Sequence, residues 1–281
     1  MKRLMYGTLL ISCVITDLYP VKRIRKAVLK EKGKRGNPFY NLHPRRVQRF
    51  FKHFIEDTRG IGEQIFTVKT MKVVTGILPF YLITRHVDQK VHNYFYDSQL
   101  HKNIHQPPDF LVDMAYTYLP LPLTCFGLLG LTHDDPYIRR RSQIFAVGTL
   151  WSYGLKMMLK NVFKSDGSLR PLNEKFDPTK RVHGGSPSGH MAMMAYFSTF
   201  WALEMGPYWA IPLSAYSLLG IAMCTTSNRH YLSQTIAGAG LGIVLGVASH
   251  ALVTSIKLPE SVSLGVNSTS NSIGLSLVYD F

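Results

Sequence analysis

Residues 187–205 read PSGHMAMMAYFSTFWALEM, a polar tetrad followed directly by a long apolar segment. The tetrad Pro187-Ser188-Gly189-His190 follows a basic, glycine-rich loop, so we predict that His190 lies in the first turn of a helix. Backbone amides in a first turn have no helical partner and point outward, so those of Ser188 and Gly189 are suited to bind an anion. The stretch therefore predicts a core helix with a candidate anion site at its start.

Apolar segments long enough for helices continue along most of the chain. They are predicted at Met71–Thr84, Phe110–Leu131, Gln143–Phe163, Met191–Met205, Trp209–Thr225 and Ser233–Ile256. Several are short or contain Pro, Tyr, Thr or Lys, so they are marginal as membrane spans. The pattern favours an all-α fold, an antiparallel bundle of about six core helices.

The last apolar segment and the tail that follows it have different patterns. Gly238, Gly242 and Gly246 recur every four residues, which predicts a flat helix face for close packing. After the bundle, apolar and polar side chains alternate on both sides of a turn-like stretch at 267–271. Residues 258–281 are therefore predicted as a hairpin-like tail, and one hairpin cannot make a barrel.

The N-terminus combines a signal-like segment with a basic region. Residues 1–3 read Met-Lys-Arg, and an apolar run of secretory length follows over 4–15. We therefore predict a signal peptide or N-terminal anchor over 1–18. A basic arm is predicted over 19–65, and the helical core over 66–257.

The charge of the chain favours a membrane partner over a nucleic acid. The formal net charge is +15, and much of it lies in the basic runs between residues 22 and 52. No zinc-ligand spacing, recognition helix or aromatic ribonucleoprotein motif accompanies these runs, so no nucleic-acid partner is predicted. Contact with anionic headgroups is expected instead, at about 1 kcal/mol for each basic residue near the surface. The mean hydropathy of +0.02 lies between soluble and fully lipid-embedded proteins.

Candidate functional residues fall at the ends of the predicted helices. Lys160 lies near the end of the third segment, and Arg170 follows it in the loop. His190 begins the fourth segment, and His230 precedes the sixth. Because consecutive helices of an antiparallel bundle reverse direction, all four residues are expected at the same end.

These motifs resemble the type-2 phosphatidic acid phosphatase family, part of the phosphatidic acid phosphatase and vanadium haloperoxidase superfamily. The family pattern is a lysine, Arg-Pro, Pro-Ser-Gly-His, and Ser-Arg followed by a histidine with an aspartate four residues later. Arg170-Pro171 and the tetrad at 187–190 fit this pattern, and 230–238 resembles its third motif. The resemblance covers roughly Lys160 to Gly246.

The resemblance implies a role for each matching residue. His230 would attack phosphorus and form a phosphohistidine, while His190 would protonate the leaving oxygen and later activate water. No metal or other cofactor is implied. The phosphoryl oxygens would be bound by Lys160, Arg170, the amides of Ser188 and Gly189, the Ser188 hydroxyl, and Arg229.

The chain departs from the family pattern at three places. The spacing from Lys160 to Arg170 is longer than in the family, and Cys224 stands where the arginine is expected. Gln234 stands where an aspartate is expected. It lies one helical turn after His230, so its amide is predicted to orient the ring, but it supplies no charge. The expected consequence is a weaker or differently tuned phosphatase, or a phosphate-binding protein with little turnover.

The resulting hypothesis is a metal-independent phosphatase that hydrolyses a phosphate or pyrophosphate monoester on a lipid. Two alternatives stay open: a weak or inactive family member that acts as an envelope or membrane scaffold, and a vanadate-dependent haloperoxidase with the same oxyanion pocket. The expected location is a multi-pass membrane protein with an extracytoplasmic active site. An exported periplasmic or outer-membrane-associated protein is the alternative.

Overall fold

A computed structural model of the chain describes residues 44–114, 120–133, 135–162 and 168–255, with the backbone of 263–269 and 272–278. The chain divides into two compact units, residues 1–52 and 53–281. The described part of the first unit is the beginning of one helix. The predicted signal peptide or anchor at 1–18 lies outside the described residues.

The described chain is predominantly helical, which confirms the all-α prediction. In chain order the helices are α1 (Pro44–Ile65), α2 (Val68–Phe95), α3 (Asp109–Asp113), α4 (Pro120–Leu129), α5 (Pro136–Val162), α6 (Gly189–Met205), α7 (Pro207–Thr226) and α8 (Leu232–Ser255). A 3₁₀ turn, Gly130–Thr132, follows α4. The strands are β1 (Tyr96–Asp97), β2 (Lys102–Asn103), β3 (Ser263–Thr269) and β4 (Ser272–Val278), paired as two antiparallel hairpins.

The predicted segments match the helices best towards the C-terminus. The segments that begin at Met191, Trp209 and Ser233 correspond to α6, α7 and α8 to within two residues at each end. The predicted helix over Phe110–Leu131 includes α3 and α4, and residues 115–119 between them lie outside the described residues.

Helix α6 lies at the centre of the second unit. The glycines predicted as a packing face let α8 approach it closely, since a Cβ at Gly238 would overlap the Ser188 carbonyl. A Cβ at Gly242 would likewise overlap the Ala192 carbonyl. An aromatic cluster that includes Phe145 and Tyr196 fills the space between α5 and α6. This packing places the starts of α6 and α8 side by side.

The segment predicted as a basic arm contains helix α1. Ile61 of α1 is fully buried in the core, and Trp151 Nε1 donates a hydrogen bond to the Thr58 carbonyl at 3.2 Å. The predicted arm boundary at residue 65 therefore includes a piece of the packed bundle. Its apolar side chains were outweighed in the sequence by the charged residues around them.

Two of the described helices, α7 and α8, are long and apolar enough to cross a membrane. The bent pair formed by residues 52–65 and 68–95 would be a third if it counts as one span. Helix α7 has large apolar side chains facing outward, including Tyr208 and Ile211. These features support membrane association. The two strands at 263–269 and 272–278 form the hairpin that the alternating tail predicts.

Candidate active site

Helix α5 brings two lysines to the site. Lys160 lies in its last turn, and Lys156 lies one turn earlier on the same face. A Cβ on Gly189 would overlap the Lys156 stem, so this side chain crosses the start of α6, with Nζ 4.3 Å from the centre of the Tyr153 ring. Burial, followed by the charges of Arg170 and Lys156, lowers the pKa of Lys160 to about 8.

Arg170 lies in the loop between α5 and α6 and reaches the residue before His230. Its Nη1 donates a hydrogen bond to the Arg229 carbonyl at 3.1 Å. Its backbone amide donates to the Val182 carbonyl at 2.7 Å, and its guanidinium lies 4.7 Å from the centre of the Phe176 ring. These contacts join the two sides of the loop and hold the Arg170 guanidinium next to Arg229 and His230.

Ser188 is the N-cap of α6, but its amide does not point outward as predicted. The Ser188 N–H donates to the backbone carbonyl of Gln234 at 3.0 Å, because the close α6–α8 contact brings that carbonyl within reach. The Ser188 hydroxyl is buried and has no hydrogen-bond partner among the described residues. The predicted contact of Ser188 with the phosphate therefore depends on its hydroxyl, because its amide already has a partner.

His190 lies in the first turn of α6, as predicted, at the open side of the site. The residue is exposed to solvent, and cationic side chains lie close to its ring. Loss of solvation, followed by the positive charges of Lys156, Arg229 and Lys160, lowers the pKa of His190 to about 4. The imidazole is therefore neutral at pH 7 without an anion beside it.

His230 lies in the loop between α7 and α8 and is 2% exposed. Burial, followed by the charges of Arg170, Lys160 and His190, places the pKa of His230 well below its usual range. Its Nδ1 is buried and has no hydrogen-bond partner in the described part of the chain. A buried neutral imidazole has an unprotonated ring nitrogen, which nucleophilic attack requires.

Cys224, at the position of the family arginine, acts through its backbone. The Cys224 side chain is fully buried, and its carbonyl accepts hydrogen bonds from the amides of Arg229 and His230, each at 3.2 Å. The Arg229 guanidinium forms an ion pair with Asp113 at 3.3 Å. Because its charge also acts on His190, Arg229 contributes a cation to the site.

Gln234 joins the start of α8 to the Arg170 loop. Its Oε1 accepts the Tyr231 amide at 3.2 Å, and Tyr231 is the residue just before α8. This is the helix-capping bond that Glu or Gln makes at the third helical position. Its Nε2 donates to the Leu169 carbonyl at 2.7 Å. Orientation of the His230 ring by Gln234 stays a prediction.

The structure thus brings the predicted residues to one end of the bundle. They are Lys160, Arg170, Ser188, Gly189, His190, Arg229, His230 and Gln234. The sequence reasoning missed Lys156, although its spacing of four residues from Lys160 places both on one helix face. Within the described residues, no cluster of three or more His, Cys, Asp or Glu side chains is arranged to hold a metal.

Comparison with known proteins confirms the family resemblance. Residues 141–257 match the model of the PAP2 superfamily. A comparison with solved structures matches the chain to the crystal structure of a transmembrane PAP2-type phosphatidylglycerolphosphate phosphatase from Bacillus subtilis, with 14% identity and a TM-score of 0.48. That match covers 65% of this chain and 96% of the other. No curated protein matches the chain.

Proposed function

We propose that the protein is a phosphatase of lipid phosphates, which hydrolyses a phosphate or pyrophosphate monoester without a metal ion, through a phosphohistidine. The observation that carries this proposal is the meeting of His190 and His230 with Lys160 and Arg170 at one end of an apolar bundle. Two neutral imidazoles next to several cations suit transfer of an anionic phosphoryl group.

In the proposed first step, an unprotonated ring nitrogen of His230 attacks phosphorus in line with the leaving oxygen. The nitrogen–phosphorus bond forms as the bond to the leaving oxygen breaks, and His190 gives its proton to that oxygen. In the second step, His190 takes a proton from water, the water oxygen attacks phosphorus, and the bond to His230 breaks. Both histidines return to their starting state and phosphate is released.

The cations support this chemistry in two ways. Lys156, Lys160 and Arg170 would bind the phosphoryl oxygens, and loss of one comparable donor costs about 3–4 kcal/mol in the barrier. Loss of solvation, followed by the charges of these cations and of Arg229, lowers the pKa of His190 to about 4 in the ligand-free protein. A bound phosphoryl dianion offsets their charge, which raises the pKa of His190 and lets it carry the proton that the leaving oxygen needs.

The lipid character of the proposed substrate rests on the position of the site. It lies at the ends of helices whose outer faces are apolar, so a headgroup phosphate at a membrane surface would reach it. Residues 139–141 are three arginines at the opposite end of α5. Because basic residues favour the cytoplasmic side, we place the site on the extracytoplasmic side of a multi-pass protein.

The test is a phosphate-release assay on purified protein in detergent with EDTA present. The panel contains phosphatidic acid, diacylglycerol pyrophosphate and an isoprenyl pyrophosphate. We expect release from at least one of them, loss of release in His190→Ala and His230→Ala, and a ³²P-labelled intermediate that is acid-labile and alkali-stable. His86→Ala, which changes an exposed histidine of α2, is the matched control and should keep wild-type activity.

Three results would contradict the proposal. Activity that persists in both His190→Ala and His230→Ala would exclude the assigned residues. Absence of release from every substrate, combined with vanadate-dependent bromination of an organic acceptor by peroxide, would favour a haloperoxidase. Absence of both activities would favour the scaffold alternative.

A further inference from the structure

Helix α2 carries two polar side chains, Asp88 and His92, one turn apart and therefore on one face. Asp88 accepts the Ser233 amide at 2.9 Å and also the Ser233 hydroxyl. His92 is 5% exposed, and its Nδ1 lies 3.0 Å from Oδ1 of Asn228. The His92 contact is therefore to a residue two positions before His230, and the Asp88 contact is to a residue three positions after it.

Asn228 is the residue through which His92 acts on this loop. Its backbone has φ 51°, in the left-handed region that asparagine tolerates better than most residues. Its Nδ2 donates to the Phe95 carbonyl at 2.7 Å and to Oδ1 of Asn103 at 3.2 Å. The Phe95 carbonyl can only accept, which fixes the orientation of the amide. Oδ1 of Asn228 therefore faces His92 as an acceptor, and the hydrogen lies on Nδ1 of His92.

The turn at Asn228 decides where His230 lies. Directly after it, the amides of Arg229 and His230 both reach back to the carbonyl of Cys224. A residue in the left-handed conformation reverses the chain at the end of α7, so the position of the His230 backbone depends on this turn. At the other end of the loop, the Asp88–Ser233 contact fixes the first turn of α8.

We infer that Asp88, His92 and Asn228 are positioning residues that hold His230 in line with the phosphorus atom. The inference rests on the proposed function, since it needs His230 as the nucleophile. A reacting group must be held within about 0.5 Å and 10–20° of its productive geometry. A misplacement of about 1 Å can cost on the order of 100-fold in rate.

The polar nature of the contacts favours this role over simple packing. Asp88, His92 and Asn228 would each be costly to bury without hydrogen bonds, and apolar side chains would join α2 to the loop without that cost. Hydrogen bonds restrict direction as well as distance, so they fix the loop in one conformation. Three such groups flank the one histidine that must form a bond.

Asn228→Gly is the most informative variant. Glycine adopts a positive φ without strain, so this change removes the side-chain hydrogen bonds and keeps the turn accessible. We expect the rate of phosphohistidine formation, measured by rapid quench, to fall at least about tenfold, with KM changed less than about threefold. His101→Gly, at an exposed residue with φ 51°, is the matched control and should keep the wild-type rate.

Three further variants separate positioning from stability. His92→Gln keeps a hydrogen-bond donor and should recover most of the rate that His92→Leu loses. Ser233→Ala keeps the amide bond to Asp88 and removes the hydroxyl, so a smaller loss of about threefold is expected. The burst amplitude counts correctly folded sites, and the rates are expressed per site. A variant that only lowers stability changes the amplitude and leaves the rate unchanged.

The two hypotheses fail in different ways. If wild type shows no phosphohistidine, or if His230→Ala keeps activity, the proposed function is wrong. If wild type forms the intermediate and His230→Ala does not, but Asn228→Gly, His92→Leu and Ser233→Ala all keep the wild-type rate per site, the positioning role is overturned. Poor folding of Asn228→Gly leaves Ser233→Ala to decide the question.

Discussion

The two ends of helix α5 both carry basic residues, but only one end neutralises them. At its start, Arg140 pairs with both carboxylate oxygens of Asp57, which is 1% exposed. The neighbouring Arg141 lies 3.8 Å from Glu204, and the same carboxylate lies 2.9 Å from Nδ1 of His250. Each of these basic groups therefore has an acidic partner within the fold.

At the end of α5, roughly 30 Å away along the helix axis, the arrangement is reversed. Neither Lys156 nor Lys160 forms an ion pair with a described residue, and the pKa of each is lowered by burial and by Arg170. Gathering cations without acidic partners destabilises a fold. The difference indicates that the first end serves stability, while the second keeps its charge for a bound anion.

The largest expected effect is a loss of stability when the ion pair at the neutralised end of α5 is disrupted. Asp57→Ala leaves the half-buried Arg140 without its carboxylate, and we expect the free energy of unfolding to fall by about 3–5 kcal/mol. Phosphatase activity per folded molecule should not change, because the site lies at the other end of α5. Denaturant unfolding and active-site titration measure the two quantities.

A charge-free replacement is the control for this prediction. The double variant Asp57→Leu with Arg140→Met should recover most of the lost stability, because it removes both charges together. If the double variant were as unstable as Asp57→Ala, the loss would come from packing around α1 and not from the unpaired arginine.

A smaller loss, in rate rather than stability, is expected at the other end. Lys160→Met should lower kcat/KM by about 100-fold, or about 3 kcal/mol in the barrier. The free energy of unfolding should stay the same or rise, since a half-buried lysine near Arg170 is removed. Lys69→Met, an exposed lysine at the start of α2, is the matched control. A destabilised Lys160→Met protein would contradict the comparison.

Much of this site could be predicted from the sequence, because its motifs mark helix ends. The tetrad at 187–190 precedes an apolar run, so the start of α6 and the place of His190 were readable. The grouping of His190 with Lys160, Arg170 and His230 followed from the alternating direction of antiparallel helices. The first argument needs only the local pattern, and the second needs only the number of helical segments between the motifs.

The remainder depends on contacts between distant segments. The partner of Ser233 is Asp88, 145 residues away, and no local pattern links them. The Ser188 amide was expected to face an anion, but the close α6–α8 contact gives it the Gln234 carbonyl instead. Helix α1 was hidden within a basic segment, since its buried residues are sparse among charged ones.

Stabilisation by a bound anion is an effect of intermediate size and also tests the difference between the two ends of α5. Inorganic phosphate, or vanadate as a tetrahedral analogue, should stabilise the wild-type protein by about 2.7 kcal/mol at 100 times its Kd. The shift should disappear in Lys160→Met and persist in Arg141→Met, whatever the change in starting stability. Thermal unfolding with and without the anion measures it. An equal shift in both variants would mean that the anion binds elsewhere.

The smallest expected effect is the pH dependence of kcat/KM that follows from the titration of Lys160 at this end of α5. The pKa of Lys160 is about 8 in the folded protein, below its usual 10.5. The cation is therefore present below pH 8 and is lost as the pH rises through that value. Since kcat/KM reports the free enzyme, it should fall about tenfold between pH 7 and pH 9, or about 1.4 kcal/mol.

Lys160→Arg tests the assignment, because a guanidinium keeps its charge throughout this range. In that variant the alkaline fall of kcat/KM should move beyond pH 10, even if the activity at pH 7 is lower. The pKa of Lys156 is also lowered, so Lys156→Arg serves as the comparison. A fall that stays near pH 8 in Lys160→Arg but moves in Lys156→Arg would assign the titrating cation to Lys156. The cation whose titration controls activity at this end of α5 would then be Lys156 and not Lys160.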